Sequence, residues 1–194
     1  MNNITEAFGL YIQGECIMQA LHKWDGLRLE IEQYCQENRI SKDDFRFLGI
    51  YEWQNVYDKV LEHFIDEQYA RRNGLYWANV NGGFKHDVSG IYAFQVGVNN
   101  NLSYEWIEQL PEIVKYDKVY LLLEEDSQKY WIAECSPSVV CLIINEAIGH
   151  IDYYITDKKY NWLISENHHD IVQFIGEGLD ADTIKKVCTV MHGN

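Results

Sequence analysis

Two adjacent histidines between carboxylates form the most chemically reactive stretch of this sequence. Residues 166–170 read Glu-Asn-His-His-Asp, so His168 and His169 are flanked by Glu166 and Asp170. A carboxylate beside a histidine can hold one tautomer of the ring and raise its basicity. Such a group of residues can transfer protons or bind a divalent cation.

The strand pattern around this motif restricts which of its side chains can meet. Neighbouring side chains of an extended segment point to opposite faces, so His168 and His169 reach one point only where the backbone turns. His150 and Asp152 begin the preceding predicted strand, and we expect them to lie near. Three interpretations of the motif stay open: a structural turn, a contact with a partner, and a metal or catalytic site.

Known catalytic signatures are missing from the sequence. It has no H-E-x-x-H zinc motif, no G-x-S-x-G nucleophile motif and no glycine-rich phosphate loop. The acidic run at residues 124–126 lacks the further ligands and the glycine of a calcium loop, which predicts a solvated hairpin tip. These absences favour a protein without a metal or a cofactor and a role that is not catalytic, while the metal or catalytic interpretation of residues 166–170 stays open.

The charge of the chain limits its partners. Its 194 residues include 30 acidic and 16 basic ones, which gives a net charge of −14. Such a surface repels phosphate backbones and anionic membranes, so we expect neither a nucleic acid nor a membrane as partner. The same surface would speed the encounter with a basic protein, for example a basic toxin.

The cysteines and the apolar runs indicate the compartment. The five cysteines form no C-x-x-C pair, and the start of the chain lacks the basic and apolar regions of a secretory signal. The longest apolar run, over residues 139–144, is too short to span a bilayer. These features predict buried, reduced thiols and a cytoplasmic protein.

Aromatic side chains supply candidate anchors for a partner. The chain has 14 tyrosines and 6 tryptophans, which combine a large apolar area with a polar group. The candidate anchors are Trp53, Tyr57, Tyr76, Trp77 and Trp162. The residues that we predict to bind a partner are Trp77, Trp162, Glu166, His168, His169 and Asp170. Burial in the core is the alternative interpretation for the aromatic ones.

The first half of the chain shows helical periodicity followed by strand-like segments. Apolar residues recur every three or four positions over residues 15–37 and 52–71, as on one face of a helix. Residues 75–80 and 90–98 are predicted strands, and residues 103–110 a short helix.

The second half has the clearest strand pattern. Residues 118–134 predict a hairpin, and residues 137–148 a buried helix. Residues 151–176 hold three short apolar runs separated by polar turns, which is typical of a β-meander. Asp180 is predicted to cap a last helix over residues 181–191.

Together these elements predict an α+β fold in a single domain that covers residues 1–194. The short turns favour a largely antiparallel sheet of about five to seven strands, with helices packed on one face. A helical part, residues 1–73, is expected to precede a sheet-containing part, residues 74–194.

The meander also carries a resemblance. Its segment YYITDKKYNWLISENHHD, residues 153–170, resembles the closing part of small, uncharacterised bacterial cytosolic proteins, some of which sit among the toxin-immunity families. The acidic, aromatic-rich α+β pattern is similar in style to SUKH-type immunity proteins. This resemblance implies a protein that binds a toxin domain and does not turn over a substrate.

We therefore expect a non-catalytic protein-binding module, such as a bacterial immunity protein that neutralises a basic toxin. One alternative is a metal-assisted or acid–base enzyme that uses His168, His169 and Asp170. Another is a structural or regulatory homo-oligomer.

Overall fold

Along the chain, runs of one to three strands are separated by one or two helices. A computed structural model describes residues 11–12, 15–16, 26–86, 92–95, 105–126, 129–148, 151–169 and 171–192. The strands are β1 Tyr11–Ile12, β2 Glu15–Cys16, β3 Phe45–Phe47, β4 Tyr92–Gln95, β5 Val119–Asp126, β6 Lys129–Cys135, β7 Tyr153–Asp157, β8 Trp162–Glu166 and β9 Ile171–Gly176. The α-helices are α1 Gly26–Glu37, α2 Ile50–Phe64, α3 Glu67–Asn73, α4 Glu105–Glu108, α5 Leu110–Ile113, α6 Pro137–Leu142 and α7 Ala181–His192.

Seven of these strands form one antiparallel sheet. Their order across the sheet is β3-β6-β5-β7-β8-β9-β4, so β3 and β4 lie at its edges. In its centre Leu121 lies opposite both Ala133 and Ile155, and Ile155 lies opposite Ile164. The predicted α+β class and the antiparallel sheet are confirmed. Because β3 comes from the predicted helical part, residues 1–73, both parts of the chain contribute to this sheet.

Helices cover both faces of the sheet, so the expectation that they pack on one face is wrong. Leu121 and Leu123 pack into a core with residues of α1 and α4–α6. Leu122, between them, packs into a second core with residues of α2, among them Val60 and Phe64. The strands β7 and β8 are accordingly buried at every position. A strand buried on both faces is apolar or aromatic at successive positions, whereas burial on one face gives an alternating pattern.

The first predicted helix begins later than its periodicity indicates. Residues 15–16 belong to β2, and α1 starts at Gly26. Glu125, on the β5–β6 hairpin, accepts a hydrogen bond from the amide of Leu27 at 3.2 Å and another from Trp131 Nε1. The hairpin tip predicted to be merely solvated therefore binds the start of α1, because the first amides of a helix need an acceptor.

The second predicted helix, over residues 52–71, is two helices. The break falls at Ile65, which is extended and forms a β-bridge with Phe84. The carboxylate of Asp66 then caps α3 and accepts from the amides of Gln68 and Tyr69, at 2.9 and 3.0 Å. An aspartate in this position satisfies amides that have no partner within the helix.

The predictions for the second half of the chain are largely confirmed. The hairpin of β5 and β6 and the meander of β7, β8 and β9 are both present. The buried helix is α6, which continues into a π-helix over Ile143–Ala147. Asp180 precedes α7, and its Oδ1 accepts from the amide of Thr183 at 2.8 Å. Residues 105–113 hold two short helices where one was predicted.

Cys35, Cys135 and Cys141 are free thiols. Burial raises the pKa of Cys35 to about 11 and that of Cys141 to about 12, and it raises the pKa of the fully buried Cys135 as well. All three thiols are therefore protonated near pH 7 and are poor nucleophiles. In the part of the chain described here, every helix is too short or too polar to cross a membrane.

Candidate functional site

Four rings form a continuous surface at one end of the sheet. Trp77 stacks on Tyr76 with 5.1 Å between ring centroids, and the Trp77 ring lies 5.5 Å from that of His168. The rings of His168 and His169 are 4.1 Å apart. Trp77 is 36% exposed, and both histidines are also exposed. We call Tyr76, Trp77, His168 and His169 the aromatic–histidine surface.

Turns over residues 74–82 carry Trp77, although the sequence predicts a strand over residues 75–80. That prediction is wrong. The backbone of Trp77 has a φ of 54°, in the left-handed region that bulky side chains rarely adopt. Such a conformation costs about 1–3 kcal/mol and is typical of binding sites and active sites.

Three tyrosine hydroxyls hold this turn in place of a neighbouring strand. Tyr57 Oη accepts from the amide of Leu75 at 3.1 Å, and Tyr154 donates to the carbonyl of Leu75 at 3.0 Å. Tyr69 donates to the carbonyl of Tyr76 at 2.7 Å. Burial raises the pKa of all three phenols, so they remain protonated at pH 7. The N–H and C=O groups of Leu75 and the C=O group of Tyr76 are thereby held in place next to Trp77.

The histidines lie in the turn between β8 and β9. Asn167 shapes this turn, since its Oδ1 accepts from the amides of His169 and Ile171, at 2.9 and 3.2 Å. An asparagine side chain that binds the following amides favours a tight turn over an extended backbone. Both histidines can therefore face one side, which two neighbours in a strand cannot do.

The buried carboxylate of Asp152 binds both the backbone and the ring of His168. One carboxylate oxygen, Oδ1, lies 2.8 Å from the backbone nitrogen of His168 and 2.9 Å from its Nδ1. Asp152 is 6% exposed, so this contact is largely shielded from solvent. An ionised carboxylate accepts and does not donate, so this contact favours the tautomer that carries its hydrogen on Nδ1.

The core beneath this surface is polar. Asp152, Asn167 and Asn79 are all buried. Asp152 Oδ2, Asn167 Nδ2 and both amide atoms of Asn79 make no hydrogen bond to any described residue. Most buried polar atoms in proteins are paired, and further exceptions lie elsewhere in the sheet, at Trp162, Ser165 and Gln173, so this property is not confined to the site.

The arrangement can support two kinds of chemistry. Exposed rings that are rigidly held suit the binding of another protein, because ordering them on binding costs little entropy. The contact between Asp152 and His168 suits proton transfer, because the carboxylate fixes the tautomer of the ring. Within the described residues no three His, Cys, Asp or Glu side chains are grouped so that they could hold a metal ion.

The matched segment of a protein-family model includes this whole site. The model is described as a family of unknown function, and it matches residues 23–187. The chain belongs to the DUF6756 family. This result agrees with the prediction of an uncharacterised family, whereas the likeness to SUKH-type immunity proteins stays a prediction. Neither the curated proteins nor the solved structures contain a match to this DUF6756 chain.

The structure brings three of the predicted site residues of this DUF6756 chain together. Trp77, His168 and His169 share the aromatic–histidine surface. Asp152, expected to lie near the histidines, contacts His168 directly. Asp170 and His150 lie outside the described residues.

Two other residues that we predict to bind a partner are buried and not exposed. Trp162 is 0% exposed and Glu166 is 8% exposed. Glu166 accepts hydrogen bonds from Trp106 Nε1, at 2.9 Å, and from the hydroxyl of Tyr153. Their strand β8 is interior, and side chains two positions apart point to the same face, so Trp162, Ile164 and Glu166 all enter the core that contains α4–α6.

The remaining candidate anchors divide between surface and core. Tyr76 belongs to the aromatic–histidine surface, while Trp53 and Tyr57 pack against the core beside α2. The roles of Tyr57, Tyr69 and Tyr154 in holding the Trp77 turn carry no sequence signal, because each hydroxyl binds the main chain of a distant residue.

Proposed function

We propose that this DUF6756 protein is a non-catalytic binding module that binds a basic protein through the aromatic–histidine surface. The observation that carries the proposal is the 5.5 Å contact between the exposed rings of Trp77 and His168. Interfaces concentrate their binding energy in a few tryptophan, tyrosine and arginine side chains near the centre of the contact. Trp77 is the natural centre of such a cluster, with Tyr76 and His168 on either side.

The charge of the chain supports the choice of a basic partner. A net charge of −14 raises the rate of encounter with a cationic protein. Trp77 then offers a ring face on which an arginine or lysine of the partner can stack. We infer that the partner is a basic toxin, for example a nuclease, and that this chain acts as its bacterial immunity protein in the cytoplasm. The free thiols of Cys35, Cys135 and Cys141 support a reducing compartment.

The test is capture of the partner from the native host. The tagged chain is purified at low salt, and co-purifying proteins are identified by mass spectrometry. We expect one basic protein in stoichiometric amount that dissociates when salt is raised, because steering between exposed charges is screened. Light scattering of the purified chain beforehand would identify a closed homo-oligomer, the structural alternative.

Matched variants locate the contact. Trp77→Ala should reduce the amount of captured partner at least tenfold, since a central tryptophan contributes about 2 kcal/mol or more. The control is Tyr51→Ala, which removes a ring that is 92% exposed on the first turn of α2. If Trp77→Ala retains the partner, or Tyr51→Ala loses it equally, the proposed surface is wrong.

An acid–base enzyme is the second candidate, and the 2.9 Å contact between His168 Nδ1 and Asp152 favours it. Hydrolysis of an activated ester such as p-nitrophenyl acetate would be lost in His168→Ala and kept in His63→Ala. His63 is a fair control because it packs on Tyr160, in the β7–β8 turn at the opposite end of the sheet. If the enzyme is metal-assisted, Zn, Mn, Ni or Mg should raise the Tm of the protein, and His168→Ala should abolish this increase.

A further inference from the structure

A cavity of about 580 Å³ lies between α1 and the segment that leads into β3. Its walls include Arg28 and Glu32 from α1 and residues 45–47 of β3, the edge strand of the sheet. The volume falls within the range of small-molecule sites, about 300–1,000 Å³. The cavity is separate from the aromatic–histidine surface, since none of the four residues of that surface lines it.

Three cationic side chains line the cavity. Arg28, Lys42 and Arg46 lie in its wall together with one carboxylate, Glu32. Glu32 pairs with Arg28, and Glu52 and Glu134 pair with Arg46. Whether a ligand can use these cations therefore depends on the donors that each pair leaves over.

Arg46 is already neutralised. Its Nη1 and Nη2 lie 3.1 Å from the two oxygens of Glu52, and Nη2 lies 3.3 Å from Glu134. Hydrogen bonds to Glu52, the largest influence, raise the pKa of Arg46 further above its ordinary value. This arginine therefore forms a wall of the cavity and leaves little charge for a ligand.

Arg28 and Lys42 retain donors for an anion. Arg28 binds Glu32 through Nε alone, at 2.8 Å, so its two terminal nitrogens have no hydrogen bond to the described residues. Its guanidinium group lies 5.3 Å from the ring of Phe47 and 5.2 Å from that of Trp131, which fixes its plane. The exposed Lys42 forms no ion pair with any described residue.

Apart from Gln36, the rest of the lining is apolar. Ile40, Phe45 and the ring of Phe47 face the cavity, and Phe47 packs edge-on against Trp131 with 6.0 Å between centroids. Small-molecule sites combine such an apolar lining with a few polar groups that orient the ligand. Here those polar groups are cationic, so the ligand they recognise carries an oxyanion.

We propose that this cavity binds a small organic anion whose carboxylate or phosphate contacts Arg28 and Lys42, and whose apolar or aromatic body contacts Phe47 and Ile40. Arginine binds either oxyanion through two parallel hydrogen bonds, while lysine adds a point charge. The site is independent of the protein-binding function proposed above.

The test uses benzoate, phenyl phosphate, inorganic phosphate and the neutral benzyl alcohol as probes. Each is titrated into the full chain, and binding is followed by NMR chemical shifts of the backbone amides around α1 and β3. We expect benzoate or phenyl phosphate to bind, and which of the two binds more tightly identifies the oxyanion. Benzyl alcohol binding equally well would overturn the role of charge, and inorganic phosphate binding equally well would overturn the role of the apolar wall.

Two variants assign the cationic donors. Lys42→Gln and Arg28→Gln should each weaken binding of the organic anion about tenfold, the effect of losing one charge-assisted hydrogen bond. Lys59→Gln is the matched control, because it removes the same charge from an exposed position on α2 where Lys59 pairs with Glu62. Lys42 has no partner to lose, so its variant should fold normally. No binding of any anion, or unchanged binding in Lys42→Gln and Arg28→Gln, would overturn the proposal.

Discussion

His168 places its backbone nitrogen and its Nδ1 on the same carboxylate oxygen of Asp152, at 2.8 and 2.9 Å. A single buried oxygen therefore sets both the turn of the backbone and the orientation of the ring. Because the Trp77 ring lies 5.5 Å from that imidazole, Asp152 also fixes one side of the aromatic–histidine surface.

Asp152 and His168 should be energetically coupled. Asp152→Asn replaces a buried acceptor by a group with an additional donor, and we expect it to lower the free energy of unfolding by about 1–3 kcal/mol. In a His168→Ala background, Asp152→Asn should lower the free energy of unfolding by about 1 kcal/mol less. The reason is that the effects of substitutions within one hydrogen-bond network are not additive. Urea unfolding of the two single variants and the double variant measures the coupling. Strictly additive losses would contradict a direct contact.

At position 77 a glycine variant should be more stable than an alanine variant, which is the reverse of the usual order. Its φ of 54° is left-handed, where glycine has no steric cost. Trp77→Ala and Trp77→Gly remove the same packing, so we expect the glycine variant to be more stable by about 1 kcal/mol. Denaturant midpoints of the two variants give the comparison. An alanine variant as stable as the glycine variant would mean that the backbone at this position is not left-handed.

The tyrosine hydroxyls should hold the Trp77 turn. Tyr154→Phe removes the 3.0 Å hydrogen bond to the Leu75 carbonyl, which keeps its 3.1 Å bond from the amide of Ala78, and this loss should cost about 1 kcal/mol. Amide hydrogen exchange over residues 75–79 should speed up more than exchange in the sheet. Tyr51→Phe, at an exposed position, serves as the control and should change neither quantity. Equal exchange rates in both variants would show that the hydroxyl does not restrain the turn.

Asp180 should make the last helix sensitive to acid. The amide of Thr183 and then the ammonium of Lys115 lower the pKa of Asp180 from 3.8 to about 2. A carboxyl whose pKa is depressed on folding stabilises the protein above its unfolded pKa, and this contribution is lost as pH falls towards the folded pKa. The Tm advantage of the wild type over Asp180→Ala should therefore be present near pH 5 and shrink between about pH 4 and pH 2. A constant difference in Tm over that range would exclude this cap. Asp182→Ala serves as the control, because it removes the neighbouring carboxylate.

Several features of the fold could be predicted from local sequence. The hairpin of β5 and β6, the meander of β7–β9 and the cap at Asp180 all follow from signals within a few residues. Apolar runs, turn residues and capping side chains act over that distance, so the sequence alone displays them. The adjacent His168 and His169 were predicted as part of a site for the same reason, since a polar break in a strand pattern favours a turn.

The turn that carries Trp77 could not be predicted from the local sequence. Its sequence favours a strand, yet its amides bond to carbonyls three or four residues earlier, and the hydroxyls of Tyr57, Tyr69 and Tyr154 bind its main chain. The same limit applies to Trp162, which is as aromatic as Trp77 but lies 0% exposed in an interior strand. Residue type alone cannot separate the two, because burial depends on what packs against each face.

By itself the sequence determined the fold class, the strands of the meander, the acidic charge and the adjacent pair of histidines. The tertiary structure alone decided which residues share the candidate site: Trp77 with His168, and His168 with Asp152. It also decided that both faces of the sheet are covered and that cations gather beside α1. The physical reason is the range of the interactions. Secondary structure follows from neighbours along the chain, whereas a site follows from contacts between segments that only folding brings together.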